Sequence, residues 1–118
     1  MIIDTHTHLF PDSFIQDRSR LFDNEPEFTL LYDNPRALMA TADQLITAMD
    51  DHGVDIACAS GFPWRNPDHA KRNNDYIIDC VQKWPDRLRG LACFDAAWQG
   101  AADEAVRCID AGLSGVGE

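Results

Sequence analysis

His6 and His8 stand two residues apart near the start of the chain, and the neutral imidazole ring is the side chain that most readily offers a nitrogen lone pair to a cation at neutral pH. The 118 residues hold four histidines, so half of them fall in one triplet, His6-Thr7-His8. In an extended strand side chains alternate faces with a period of two, which puts both rings on one side with α-carbons about 6 to 7 Å apart. Two such rings can reach one ion at the zinc–nitrogen distance of about 2.0 to 2.1 Å, so divalent metal ligation, zinc foremost, is the chemistry this spacing suits. A lone His-x-His triplet is a weak signal, and its position in a fold has to decide. Asp4 shares the parity of the two histidines and is a candidate either to orient a ring or to cap a backbone group.

Residues 1–5 form a β-branched run ending in polar residues, as in a strand that is buried at its start and open at its far end. Residues 10–40 are irregular, broken by Pro11, Pro26 and Pro35, and read as a long excursion with a short helix in it. Clearer signals follow. Thr41 and Gln44 have capping-box spacing, Leu45, Ile46 and Met49 recur at helical spacing, and Gly53 is a stop, which predicts a helix over 42–52. "VDIACASGF" has the length and composition of a strand, and Asn66-Pro67 opens a second helix that Pro85 ends. Its apolar stripe runs through Ala70, Tyr76, Ile77, Cys80, Val81 and Trp84. "RLRGLACF" is a third strand. "GAADEAVRCIDAG" is a third helix with Ala102, Ala105, Val106 and Ile109 inward, and a fourth strand begins in "LSGVGE".

Strand and helix thus alternate, the order of an α/β protein with parallel strands joined by right-handed crossovers and buried on both faces. Doubly wound open sheets and (β/α)8 barrels share this order. A dinucleotide-binding sheet needs a Gly-x-Gly-x-x-Gly turn after the first strand, whereas that turn here is "THTHLFPD", without glycine. The expectation is therefore a TIM barrel. A full barrel takes about 250 residues, so this single domain, residues 1–118, is expected to be its first half, strands 1 to 4, truncated after "GVGE". Barrel active sites lie at the carboxyl ends of the strands, which is where His6 and His8 fall.

Composition narrows the partners. Ten basic against 20 acidic residues give a net charge of −10, which repels nucleic acid and anionic membranes alike and leaves a small molecule as the expected partner. The cysteines Cys58, Cys80, Cys93 and Cys108 have 12 to 21 residues between neighbours, no Cys-x-x-Cys pair, and apolar surroundings, and so read as reduced core residues of a cytoplasmic protein. The N-terminus lacks a signal-peptide pattern, and no apolar stretch approaches the roughly 18 residues of a membrane span.

"IIDTHTH" is similar to the first-strand signature of the amidohydrolase superfamily. The continuation "LITAMDDHGVDIACASGFPW", "NDYIIDCVQKWPDRLRGLACF" and "AADEAVRCIDAGLSGVGE" resembles its amidohydrolase 2 branch, the aminocarboxymuconate-semialdehyde-decarboxylase-like metal-dependent hydrolases. The resemblance covers most of the chain and implies a (β/α)8 barrel enzyme whose divalent metal activates water and polarises a substrate carbonyl. It implies that His6 and His8 are metal ligands. Glu118 falls where some relatives, such as the TatD-like deoxyribonucleases, place a metal-binding carboxylate, although many members of the branch have another residue there. The family's later histidines and catalytic aspartate have no counterpart in these residues, so no catalytic base is assigned and the piece alone is expected to be inactive or nearly so.

On the loop after the second strand, Trp64 and Arg65 are candidates to contact an aromatic or anionic substrate, with packing and solvation as their plainer roles. His69 is a weaker candidate, and His52 suits the cationic end of a helix. The leading expectation is a metal-dependent hydrolase acting on a small-molecule carbon–nitrogen or carbon–oxygen bond. Its alternatives are a decarboxylase of the same branch, a TatD-like phosphoesterase, and a noncatalytic half-barrel that pairs with a second copy through its open sheet edges and inner face.

Overall fold

The computed structural model describes residues 1–118. Its strands are β1 (Ile3–His8), β2 (Ile56–Ser60), β3 (Leu88–Ala92) and β4 (Gly115–Val116), and its helices are α1 (Asp12–Gln16), α2 (Pro26–Tyr32), α3 (Ala42–His52), α4 (Pro67–Lys83) and α5 (Ala101–Asp110), with a 3-10 turn over Arg18–Leu21. All pairings are parallel, and the strands lie side by side in the order β1-β2-β3-β4. That order marches in one direction, as in a barrel; a doubly wound sheet reverses at a switch point. The α/β half-barrel read from the sequence is the fold found.

Local signals place several elements as expected. Thr41 and Gln44 form the capping box of α3, and Gly53 closes that helix in the left-handed region at φ 69°. Asn66 caps α4 by accepting from the Asp68 N–H, and Pro67 takes the first helical position. His52 donates its ring Nδ1–H to the Ala48 carbonyl in the last turn of α3, a structural role.

The helices cover one face of the sheet. On that face Ala57, Ala59, Leu88, Gly90 and Ala92 are buried, while Cys58, Arg89 and Leu91 point to the opposite, open face. A Cβ on Gly90 would lie under 3.0 Å from Ile77, Val81 and Leu113, so its absence lets α4 and the α5–β4 turn close onto β3. Burial on both faces, expected from the apolar strand runs, is therefore corrected to one. The first strand is corrected as well. It runs through the histidines rather than stopping before them, and as an edge strand it leaves Ile3 44% exposed, with a register irregularity between Asp4 and Thr7.

The excursion packs through aromatic residues rather than through long helices. Phe10, Phe14 and Phe28 meet Phe62 and Trp64 at ring separations of 4.5 to 6.3 Å, most of them edge to face. Burying each such ring contributes about 1.5–3 kcal/mol, enough to order a segment of weak local propensity. In α5 the expected inward face is rotated. Val106 and Ile109 are exposed at 59% and 48%, whereas Glu104 and Cys108 face in. Glu104 accepts hydrogen bonds from Asn74 and Arg107, and this buried polar pairing overrides the hydropathy of the helix.

Candidate metal centre

At the carboxyl ends of the strands three side chains converge. His6 Nε2 and His8 Nε2 are 2.9 Å apart. Glu118, two residues beyond β4, brings one carboxylate oxygen to 3.2 Å from His6 Nε2 and the other to 3.8 Å from His8 Nε2. Their donor atoms all lie within 4.8 Å of one another, close enough to share one cation.

Each residue is held there by identifiable bonds. His8 Nδ1 is 2.6 Å from the Gly61 carbonyl oxygen; a carbonyl only accepts, so Nδ1 carries the proton and Nε2 presents its lone pair. Thr7 Oγ1 donates to the Cys58 carbonyl and the Leu9 N–H to Ser60, which lock the end of β1 against β2. Glu118 is fixed from β3, because the Gly117 N–H donates to Ala92 and Cys93 Sγ donates to the Glu118 carbonyl. Asp4 does not orient a ring. Its carboxylate accepts from the His6 backbone N–H, the capping alternative.

Thr7, Cys58, Ser60, Leu91 and Gly117 line a cavity of about 200 Å³ with His6 and Glu118. A neighbouring cavity of about 310 Å³ is lined by Glu27, Pro63, Arg65, Phe94, Asp95, Ala96 and Glu118. Arg65 thus stands over the same mouth, its guanidinium paired with Glu27 and its backbone N–H donating to Glu25. Trp64 is not brought to the mouth. It is 1% exposed, packs on Phe14 and Phe28, and donates Nε1–H to Asn73, which corrects the expectation of substrate contact to a core role. His69 lies edge-on to Phe14 and Trp64 with Nδ1 buried and unbonded, and burial lowers its pKa.

Several contributors escaped the sequence reading. The Gly61 carbonyl leaves no side-chain signal. Asn73 and Asn74, both 0% exposed, interrupt the apolar stripe of α4, and such polar residues on a buried face must find partners. Glu25, 1% exposed, accepts from the Arg65 and Asn66 N–H groups and ties the excursion to the loop after β2.

No family profile matches this sequence, and no curated protein matches it. Solved structures share its fold. A 5-carboxyvanillate decarboxylase from Novosphingobium aromaticivorans, complexed with manganese and 4-hydroxy-3-methoxy-5-nitrobenzoic acid, has a TM-score of 0.75 and 22% identity over 98% of this chain and 40% of its own. A protein described as amidohydrolase II gives 0.72 and 22%, covering 98% and 39%. A dihydroxybenzoic acid decarboxylase from Polaromonas, with bound manganese and the inhibitor 2-nitroresorcinol, gives 0.63 and 23%, covering 98% and 37%. The chain spans about two fifths of the length of these structures.

Proposed function

We propose that residues 1–118 form the first four strands of a metal-dependent (β/α)8 enzyme of the amidohydrolase 2 type, with His6, His8 and Glu118 holding a divalent cation. The observation that carries this reading is the convergence of two imidazole nitrogens and a carboxylate at the carboxyl ends of β1 and β4, on two strands at opposite edges of the sheet. The donor set fits: His8 already presents a lone pair from Nε2, and Glu118 supplies the negative charge that two neutral rings lack. When bound, the ion supplies Lewis acidity and an activated water. The residues of this chain orient and bind. His8 is fixed by Gly61, Glu118 by β3, and Arg65 offers a guanidinium across the mouth to an anionic group of a small-molecule substrate, exchanging it for Glu27.

Hydrolysis of a carbon–nitrogen or carbon–oxygen bond is one reaction such a centre supports. Decarboxylation fits at least as well, because two of the structures that share the fold are named decarboxylases of aromatic acids. Zinc suits two imidazoles and a carboxylate, and manganese is the ion those two structures hold. Four free thiols, three of them buried, support a cytoplasmic setting. No helix is long and apolar enough to cross a membrane.

The test is equilibrium dialysis of the chain against Zn²⁺ and Mn²⁺ with metal analysis, for the wild type, His6→Ala and His8→Ala. One ion per wild-type chain, lost in both variants, is the expected result; a wild type that retains neither ion overturns the reading. Assaying a longer chain that carries further strand–helix units, on aromatic carboxylates and on amide or ester substrates, then separates decarboxylation from hydrolysis.

A further inference from the structure

Asn73 lies in the middle of α4, 0% exposed, and makes no hydrogen bond to His6, His8 or Glu118. Its Nδ2 donates to the Leu9 carbonyl at 2.9 Å, one residue past His8, and its Oδ1 accepts from Trp64 Nε1 at 3.0 Å. Its amide also abuts Gly61, since a Cβ there would lie 2.5 Å from Asn73 Cγ. One amide therefore presses on both sides of the joint between the strand ends, the segment bearing His8 and the segment bearing the carbonyl that accepts the His8 Nδ1–H hydrogen bond.

We propose that Asn73 is a positioning residue of the metal centre: by holding Leu9 and Gly61 in register it keeps His8 in the Nδ1–H tautomer, with Nε2 aimed at the site. This rests on the metal-binding reading for its consequence, and on the hydrogen-bond geometry alone for its cause. An apolar residue of equal size would fill the space but leave the Leu9 carbonyl and the Trp64 N–H buried without partners. An amide satisfies both at once, being donor and acceptor.

The experiment uses Asn73→Asp, which keeps the acceptor for Trp64 and turns an oxygen toward the Leu9 carbonyl, and Trp64→Phe, which removes the donor that orients the amide along with part of the buried indole. Tyr76→Phe is the control. It deletes a hydroxyl that accepts from the Ala42 N–H one turn further along α4, away from Leu9 and Gly61. Nitrogen NMR of the imidazoles, recorded metal-free about two pH units above the ordinary histidine value, reads the His8 tautomer, and Mn²⁺ titration reads affinity. The expected result is an Nδ1–H form in the wild type and in Tyr76→Phe, a shift toward Nε2–H in the other two variants, and a roughly tenfold weaker Mn²⁺ affinity in them. Folded Asn73→Asp and Trp64→Phe proteins with the wild-type tautomer overturn the proposal; should Asn73→Asp not fold, Trp64→Phe decides alone. A wild type that binds no Mn²⁺ sinks the metal reading instead, and the tautomer still decides the role of Asn73.

Discussion

His6 Nε2 stands 2.9 Å from His8 Nε2, and because His8 Nδ1 donates to Gly61, a single proton on His6 completes a contact that a cation can replace at both nitrogens. A ligand that binds only the folded chain stabilises it by mass action, about 2.7 kcal/mol at a hundredfold excess over Kd, worth roughly 10 °C in Tm at this size. Thermal unfolding with and without Zn²⁺ or Mn²⁺ is expected to show such a rise in the wild type and none in His6→Ala or His8→Ala. Glu118→Gln keeps the shape but loses the charge and is expected to show a smaller rise.

Gly61→Ala is expected to destabilise the fold and disturb the site together. The added Cβ meets Asn73 Cγ at 2.5 Å and Oδ1 at 2.6 Å, and that amide is pinned by two hydrogen bonds rather than free to swing away. Overpacking of this kind costs about 1–3 kcal/mol. Urea unfolding measures the loss, and the metal-induced rise in Tm is expected to shrink because the Gly61 carbonyl must move relative to His8.

What could be read from sequence followed the range of the forces involved. The ends of α3 and α4 were legible because Thr41, Gln44, Gly53, Asn66 and Pro67 act within one turn of themselves. The His6 and His8 pair was legible as a convergent pair, since strand parity is local too. The inward face of α5 was not, because what turns it is Asn74, thirty residues away, bonding Glu104. The packing of the excursion was likewise hidden, since its order comes from rings that meet only once Phe62 and Trp64 are in place. Strand 1 reads as buried from its isoleucines, but edge position is a property of the whole sheet.

Glu25→Ala is expected to loosen the loop that carries Arg65. The carboxylate accepts from Arg65 N at 3.0 Å and Asn66 N at 2.8 Å, and its removal strands both donors at the start of α4. Leaving them unpaired costs about 2–3 kcal/mol. Glu25→Gln retains one acceptor oxygen and is expected to lose less. Urea unfolding of the three proteins ranks them, and equal stability of Glu25→Ala and wild type would refute the tie between the excursion and this loop.

Glu104 gives the fold a dependence on pH. Hydrogen bonds from Arg107 hold its carboxyl below the ordinary glutamate value, helped by Asn74, although burial opposes them. A folded-state pKa that is depressed means stability fully present above the ordinary glutamate range and lost as pH falls through the lower, folded value. Unfolding free energy is therefore expected to drop between neutral and strongly acidic pH, and Glu104→Gln, less stable at pH 7, is expected to show a smaller drop. Parallel slopes for the two proteins would remove Glu104 from the acid transition.

The four thiols are expected to differ sharply in reactivity. Burial pushes the Cys80 thiol up to about 11 and those of Cys93 and Cys108 up to about 12, with the Glu118 charge adding to the rise at Cys93 and Glu104 at Cys108. The thiolate is the nucleophile, so at pH 8 fewer than about one in a hundred of these groups is reactive, and all three are buried besides. Cys58 differs in place, being half-buried on the open face of the sheet and lining the cavity that holds His6 and Glu118. Iodoacetamide added to the native protein is expected to label Cys58 alone, and to label all four in urea, as intact mass will show. Native labelling spread over several cysteines would mean that the packing of α4 and α5 onto β3 opens on the timescale of the reaction, and Zn²⁺ protection of Cys58 would place the ion in that same cavity.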